Sequence, residues 1–248
     1  MKIILTLLFI VATYLNAQTI NIAVAANVSY AIDELKEEFV RIHPDIKVNV
    51  ILGSSGKLTA QIKNGAPYGL FMSADMKYPE ALYSEKIAIT KPAVYAQGAL
   101  AYLSVNKQDF SKGINLLKNK KIKRIAIANP QTAPYGIAAF EALKNAKVYE
   151  DIKSKFVYGE SISQTVTYAI MAADIGIIAK SSLYSSKMIE YKEGVNWISV
   201  DVKLYTPINQ GIVLLKFSKN ADAYRAFYDF ILSKKATIIF KKYGYIIS

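Results

Sequence analysis

An α/β fold in two lobes is what the sequence predicts, and three observations predict it. Apolar segments of β-forming residues are each followed by a turn of small, hydroxyl or amide residues and then by an amphipathic helix. That theme runs twice, once from residue 20 to residue 75 and again from residue 125 onward. The length of 248 residues, 52% hydrophobic and 20% charged, supports two modest domains with real cores.

In the first half, Ile20 to Ala25 is a strand. Asn27 is placed to cap a helix over Val28 to Ile42, where Ala31, Ile32, Leu35, Phe39 and Ile42 keep the helical period. His43-Pro44 ends that helix, and Ile46 to Leu52 forms the second strand. The turn Gly53-Ser54-Ser55-Gly56 leads into a helix over Lys57 to Lys63, closed by Asn64-Gly65. A third strand, Leu70 to Met72, precedes Ser73-Ala74-Asp75. This βαβαβ order is the grammar of a parallel sheet.

The second half repeats it. Ile125 to Ala128 is a strand, and Pro134 suits the first position of a helix continuing over Tyr135 to Asn145. Phe156 to Tyr158 is a strand, and Ser161 or Ser163 caps a helix running to Ala173. Ile175 to Ala179 is another strand, with a turn or short helix opening at Ser181-Ser182. Helices over Ala221 to Ser233 and Lys235 to Tyr243 close the chain as packing elements.

Composition narrows the chemistry. There is no Cys, and His43 is the single imidazole, next to Pro44 at a helix end. Thiolate metal sites, disulfides, cysteine nucleophiles and His-based triads are therefore set aside. The net charge of +12 comes almost wholly from Lys, since Arg occurs only at Arg41, Arg124 and Arg225. Base-reading proteins lean on planar Arg and aromatic platforms, so nucleic acid is not expected as a partner. The basic run from Lys118 to Arg124 reads as a solvated helix end and a loop before the Ile125 strand. The Gly53 to Leu58 turn lacks the spacing and the hydroxyl after Lys of a phosphate loop, and no Gly-x-Ser-x-Gly elbow is present. Asp75 and Glu160 read as capping or loop-positioning residues rather than an acid–base pair. Asn27-Val28-Ser29 fits a glycosylation sequon, but its place at a strand–helix turn favours a structural role.

Residues 1–17 read as a signal peptide, with Lys2 before the apolar stretch Ile3 to Tyr14 and a cut expected after Ala17. An uncleaved anchor is the alternative. Export to the periplasm of a soluble protein is the expectation.

Several helix starts follow strand ends directly, at Asn27, Gly53 to Gly56, Ala133 to Gly136 and Ser161 to Ser163. Strand C-terminal ends face the ligand crevice of an open α/β sheet, and helix N-termini offer unpaired N–H groups to an anion. Four such turns in one small chain point to a shared anion site built from neutral dipoles.

Several motifs carry a resemblance. They are Ala25-Ala26-Asn27, Gly53-Ser54-Ser55-Gly56-Lys57-Leu58 with Gln61-Ile62, and Gly65-Ala66-Pro67 before Leu70 to Asp75. Ala128-Asn129-Pro130, Ala133-Pro134-Tyr135-Gly136, Gly159-Glu160-Ser161 and Phe240 to Gly244 follow in order. Over essentially the whole mature chain this resembles the molybdate-binding periplasmic proteins of bacterial ABC transporters. The resemblance implies a type II periplasmic-binding-protein fold with a ligand cleft between its lobes, here 18–98 with 203–248 and 99–202. It implies binding rather than catalysis, with no cofactor. A monomer would capture molybdate, and also tungstate, and hand it to the transmembrane permease.

The implied oxyanion ligands are Asn27, Ser55 through its hydroxyl and N–H, and the backbone N–H groups at Tyr135 and Ile162. Ser54, Ala179 and Lys180 are further candidates, and the metal of the oxyanion would have no direct protein ligand. One departure stands out: the family often has a Tyr after the Gly-Ile-Val type strand, and this chain has Ala179 there. Either Lys180 or a water is the replacement donor, or the selectivity among anions is altered. The competing readings are a binder for tungstate, sulfate or another tetrahedral oxyanion and, from a different class, a secreted hydrolase of phosphorylated or sulfated substrates.

Overall fold

The computed structural model describes residues 18–218 and 221–247, so the expected leader lies outside the described residues. The first lobe opens with β1 (Gln18–Ala25), a 3-10 turn over Ala26–Tyr30, α1 (Ile32–Ile42) and β2 (Ile46–Gly53). It continues through α2 (Ser55–Lys63), β3 (Leu70–Met72), α3 (Lys77–Ser84) and β4 (Ala93–Gly98). The second lobe holds β5 (Leu100–Leu103), β6 (Ile125–Ala128), α4 (Pro134–Asn145) and α5 (Tyr149–Ile152). After them come β7 (Phe156–Gly159), α6 (Ile162–Met171), β8 (Ile175–Ala179) and β9 (Trp197–Ser199). The chain then returns to the first lobe with β10 (Ile208–Leu214), α7 (Ala221–Ile231) and α8 (Lys234–Lys242).

Each lobe is built on a five-stranded sheet, ordered β2-β1-β3-β10-β4 in the first and β7-β6-β8-β5-β9 in the second. In each, three parallel strands are extended by one antiparallel strand and an edge partner. The crossover helices cover both faces, which explains why β1, β6 and β8 are almost continuously apolar. On β1, Ile20, Ile22 and Val24 pack toward Phe39, Phe227 and Phe240 of α1, α7 and α8. Ala23 on the other face meets Leu58 and Ile62 of α2. In the second lobe Ile125 and Ile127 face Ala139 and Leu143 of α4, while Ala126 faces Val166 and Ala169 of α6.

Three expectations are corrected. Asn27 does not cap α1: the helix starts at Ile32 with no side-chain cap, and Asn27 lies within the preceding 3-10 turn, its amide engaged elsewhere. Helix α2 begins at Ser55 rather than Lys57, so Ser55 occupies the first turn. Four strands (β4, β5, β9 and β10) and two helices (α3 and α5) were not expected. Between β4 and β5 the chain changes sheets at Ala99. β10 carries Asn209, Gln210 and Gly211, and its pairing with β4 shifts register between Gln210 and Gly211.

Strand register positions the site. Ala25 of β1 lies opposite Gly53 of β2, and Ala128 of β6 lies opposite Gly159 of β7. Two level pairs of strand ends, one per lobe, therefore deliver Asn27 with Ser54 and Ala133 with Ser161 to the junction.

Candidate ligand site between the lobes

The sequence-predicted residues come together at that junction, and they are sealed. Asn27 is 0% exposed, Ser54 4%, Ser55 1%, Tyr135 1% and Ile162 4%. Burial of Asn27 excludes it as an accessible glycosylation acceptor. The lobes touch directly above the site. The Gly56 N–H donates to the Thr132 carbonyl at 2.9 Å, and Lys57 Nζ lies 2.7 Å from a Glu160 carboxylate oxygen. Ser181 Oγ donates to the Asn27 carbonyl at 3.2 Å, and Gln210 Nε2 donates to the Tyr135 hydroxyl at 3.0 Å. The molecule is in a closed state. An open groove between the lobes, lined in part by Asp75, Met76, Glu141, Thr206 and Asn209, contains none of the predicted anion ligands.

The donors arise from local structure. Ser55 Oγ accepts the Ala74 N–H at 2.9 Å, which leaves the hydroxyl proton free to point elsewhere. Ser54 Oγ is buried and has no partner among the described residues. The N–H groups of Ser55, Tyr135 and Ile162 open α2, α4 and α6, where the first turn has no internal acceptor. Ser161 Oγ caps α6 by accepting the Gln164 N–H at 3.3 Å and lies 3.1 Å from Ser163 Oγ, so its hydroxyl is engaged within the helix start.

Around Asn27 lies a polar network that sequence reasoning missed. Asn27 Nδ2 donates to Gln210 Oε1 at 2.9 Å and to the Tyr245 hydroxyl oxygen at 3.1 Å. Tyr245 in turn donates to the Asn27 carbonyl at 2.9 Å. Tyr95 donates to Gln210 Oε1 at 2.8 Å and lies 3.1 Å from the Ser73 carbonyl. Asn27 Oδ1 is buried without a partner among the described residues. Only Tyr135 among the 18 Tyr was expected near a site. Tyr95 and Tyr245 also join this network. No local motif marks Tyr95, Gln210 or Tyr245, because their partners are far away in sequence.

The network is uncharged. Burial pushes the Tyr95 and Tyr135 hydroxyls well above their ordinary range and Tyr245 to about 12, so all three stay protonated at physiological pH. Asp75, at the start of α3, is raised by burial, partly offset by hydrogen bonds from Ser73 Oγ and the Tyr78 N–H. Ala179 supplies no side-chain donor, and the Lys180 N–H is already spent on the Ala99 carbonyl at 2.8 Å. Among the described residues no cluster of three or more His, Asp or Glu could hold a metal ion. Such an arrangement can strip water from a small anion and surround it with fixed neutral donors.

Two lobes joined by crossing strands, closing on buried dipoles, define a solute-binding protein. The chain belongs to the bacterial extracellular solute-binding proteins, whose family pattern matches residues 20–246. It is similar to the molybdate-binding protein ModA of Azotobacter vinelandii, 34% identical over 92% of this chain and 90% of that one. It is also similar to ModA of Rhodobacter capsulatus, 35% identical over 90% of this chain and 86% of the relative. The solved Azotobacter vinelandii periplasmic molybdate-binding protein superposes with a TM-score of 0.84 at 28% identity, covering 92% of this chain and 99% of that one.

Proposed function

We propose that this protein captures molybdate in the periplasm and delivers it to the transmembrane permease of an ABC importer. Tungstate, of the same shape and charge, is the second ligand. The observation that carries the reading is the sealed interlobe cluster of neutral polar groups: the Ser54 and Ser55 hydroxyls and the helix starts at Tyr135 and Ile162, with the Asn27 amide beside them. The names of the similar proteins support molybdate as the anion. Backbone and hydroxyl dipoles replace the hydration shell, and the lobes close by bending at Ala99 and at the return segment, residues 200–207. Sulfate shares shape and charge but is smaller, so fixed donor spacing discriminates by size. Each chain holds the complete donor set and works as a monomer.

Thermal unfolding with molybdate, tungstate, sulfate and phosphate tests this. A ligand at 100 times its dissociation constant adds about 2.7 kcal/mol of stability. Molybdate and tungstate are expected to raise the melting temperature most. No shift with either at millimolar concentration contradicts the reading.

A further inference from the structure

Gln210 is fully buried on β10, at the register shift where that strand passes beneath the cleft. Its amide meets groups from three other elements. Oε1 accepts from Asn27 Nδ2 and from the Tyr95 hydroxyl, and Nε2 donates to the Tyr135 hydroxyl of the opposite lobe. This arrangement leaves two loose ends among the described residues. Asn27 Oδ1 is buried without a partner, and the Tyr135 hydroxyl proton meets no acceptor.

Turning both amides over about their terminal bonds exchanges donors for acceptors and leaves the heavy-atom positions in place. Gln210 Nε2 then donates to Asn27 Oδ1 and to the Tyr95 oxygen, while Tyr95 keeps its proton on the Ser73 carbonyl. Tyr135 gives its proton to Gln210 Oε1. Tyr245 can donate to Asn27 Oδ1, because Ser181 Oγ also serves the Asn27 carbonyl. The Asn27 amino group is released where its unpartnered oxygen had been. The two orientations therefore present opposite faces of Asn27, a carbonyl in one and a pair of N–H donors in the other.

We propose that Gln210 is a positioning and specificity-determining residue, which holds Asn27 with its amino group toward a fully deprotonated oxyanion and ties that orientation to Tyr135 across the cleft. The proposal rests on the oxyanion reading above. A carbonyl facing the anion repels a dianion and accepts a hydrogen bond from a protonated one. The amide pair thus selects by protonation state, in addition to the selection by size.

The test is calorimetric titration of the purified protein with molybdate, sulfate and phosphate, using Gln210→Met, Gln210→Glu, Tyr135→Phe and the Gln210→Met/Tyr135→Phe pair. Unliganded melting curves check folding. Both Gln210 variants are expected to bind molybdate about 10-fold more weakly or worse. In Gln210→Glu, whose carboxylate accepts from Asn27 Nδ2 and turns the Asn27 carbonyl toward the anion, the preference for molybdate over phosphate narrows. Tyr135→Phe, which keeps its N–H, is expected to weaken binding about 3-fold or more alone and to add little in the Gln210→Met background. Folded Gln210 variants with wild-type affinity and discrimination overturn the proposal, as do fully additive effects in the pair.

If the Gln210 variants do not fold, the wild-type side-chain amide resonances decide. The Asn27 pair, assigned by its loss in Asn27→Ala, must shift on molybdate binding together with the Gln210 pair, and an unmoved Gln210 pair overturns the proposal. A wild-type protein that binds none of the three anions overturns both readings. A wild type that binds, with Gln210 variants that bind equally well, overturns this one alone.

Discussion

Ser55 shows how one side chain holds the fold and, in the proposed site, is left with a proton for the ligand. Its oxygen accepts the Ala74 N–H, which ties α2 to the end of β3, and its proton remains for an anion. Ser55→Ala is expected to cost roughly 1–3 kcal/mol of anion affinity. It should also lower the unliganded melting temperature, since the buried Ala74 N–H loses its acceptor. Titration and melting of the same variant separate the two effects. Asp75 carries a pH signature. Its carboxyl is raised above 3.8 by burial, so the folded state holds a proton more tightly than the unfolded chain does. Its contribution is therefore lost as pH rises through the raised value, and Asp75→Asn should flatten that part of the melting-temperature profile. Asn27 and Ser55 were legible because each sits in a short turn after an apolar strand. Gln210 and Tyr245 were not, since they meet Asn27 from 183 and 218 residues away. Nothing local in a chain with 18 Tyr singles out Tyr95 and Tyr245 as the ones that join Tyr135 in this network.

At the level of elements, the legible ones are the parallel strands and their crossover helices. Strands buried on both faces write themselves as apolar runs, and the amphipathic helices between them keep their period. The elements that join the lobes lack both signals. β4 and β5 follow each other with only Ala99 between them, and no turn signal marks the change of sheet. β10 interrupts its apolar pattern with polar residues, of which Gln210 lies beneath the candidate site. Gly98 is where this joining is tightest: a Cβ there would lie 2.7 Å from Gln210 Nε2 and closer still to the Tyr135 hydroxyl. Gly98→Ala is expected to push Tyr135 away from the crossing and to weaken anion binding about 10-fold or more. The second-lobe core should remain folded, as read by circular dichroism and titration. Wild-type affinity in that variant would show that closure does not depend on the Tyr135–Gln210 approach.

Across the whole molecule, the +12 charge and the binding chemistry separate. Lysines dominate the surface, and the basic run before β6 is solvated loop whose Lys123 and Arg124 N–H groups are held by Asp174. The interlobe pair Lys57–Glu160 is half-exposed on both sides and contributes little to closure. An exposed Lys-rich surface steers anions at low salt without choosing among them. In the proposed function, selection falls to the buried neutral donors, which engage when the lobes close. Titration calorimetry of the purified protein with molybdate and then with sulfate measures that selection most directly. The expected result is one-to-one molybdate binding, at least about 10-fold tighter than sulfate, a difference of about 1.4 kcal/mol. Absence of molybdate binding, or sulfate bound as tightly, would contradict it.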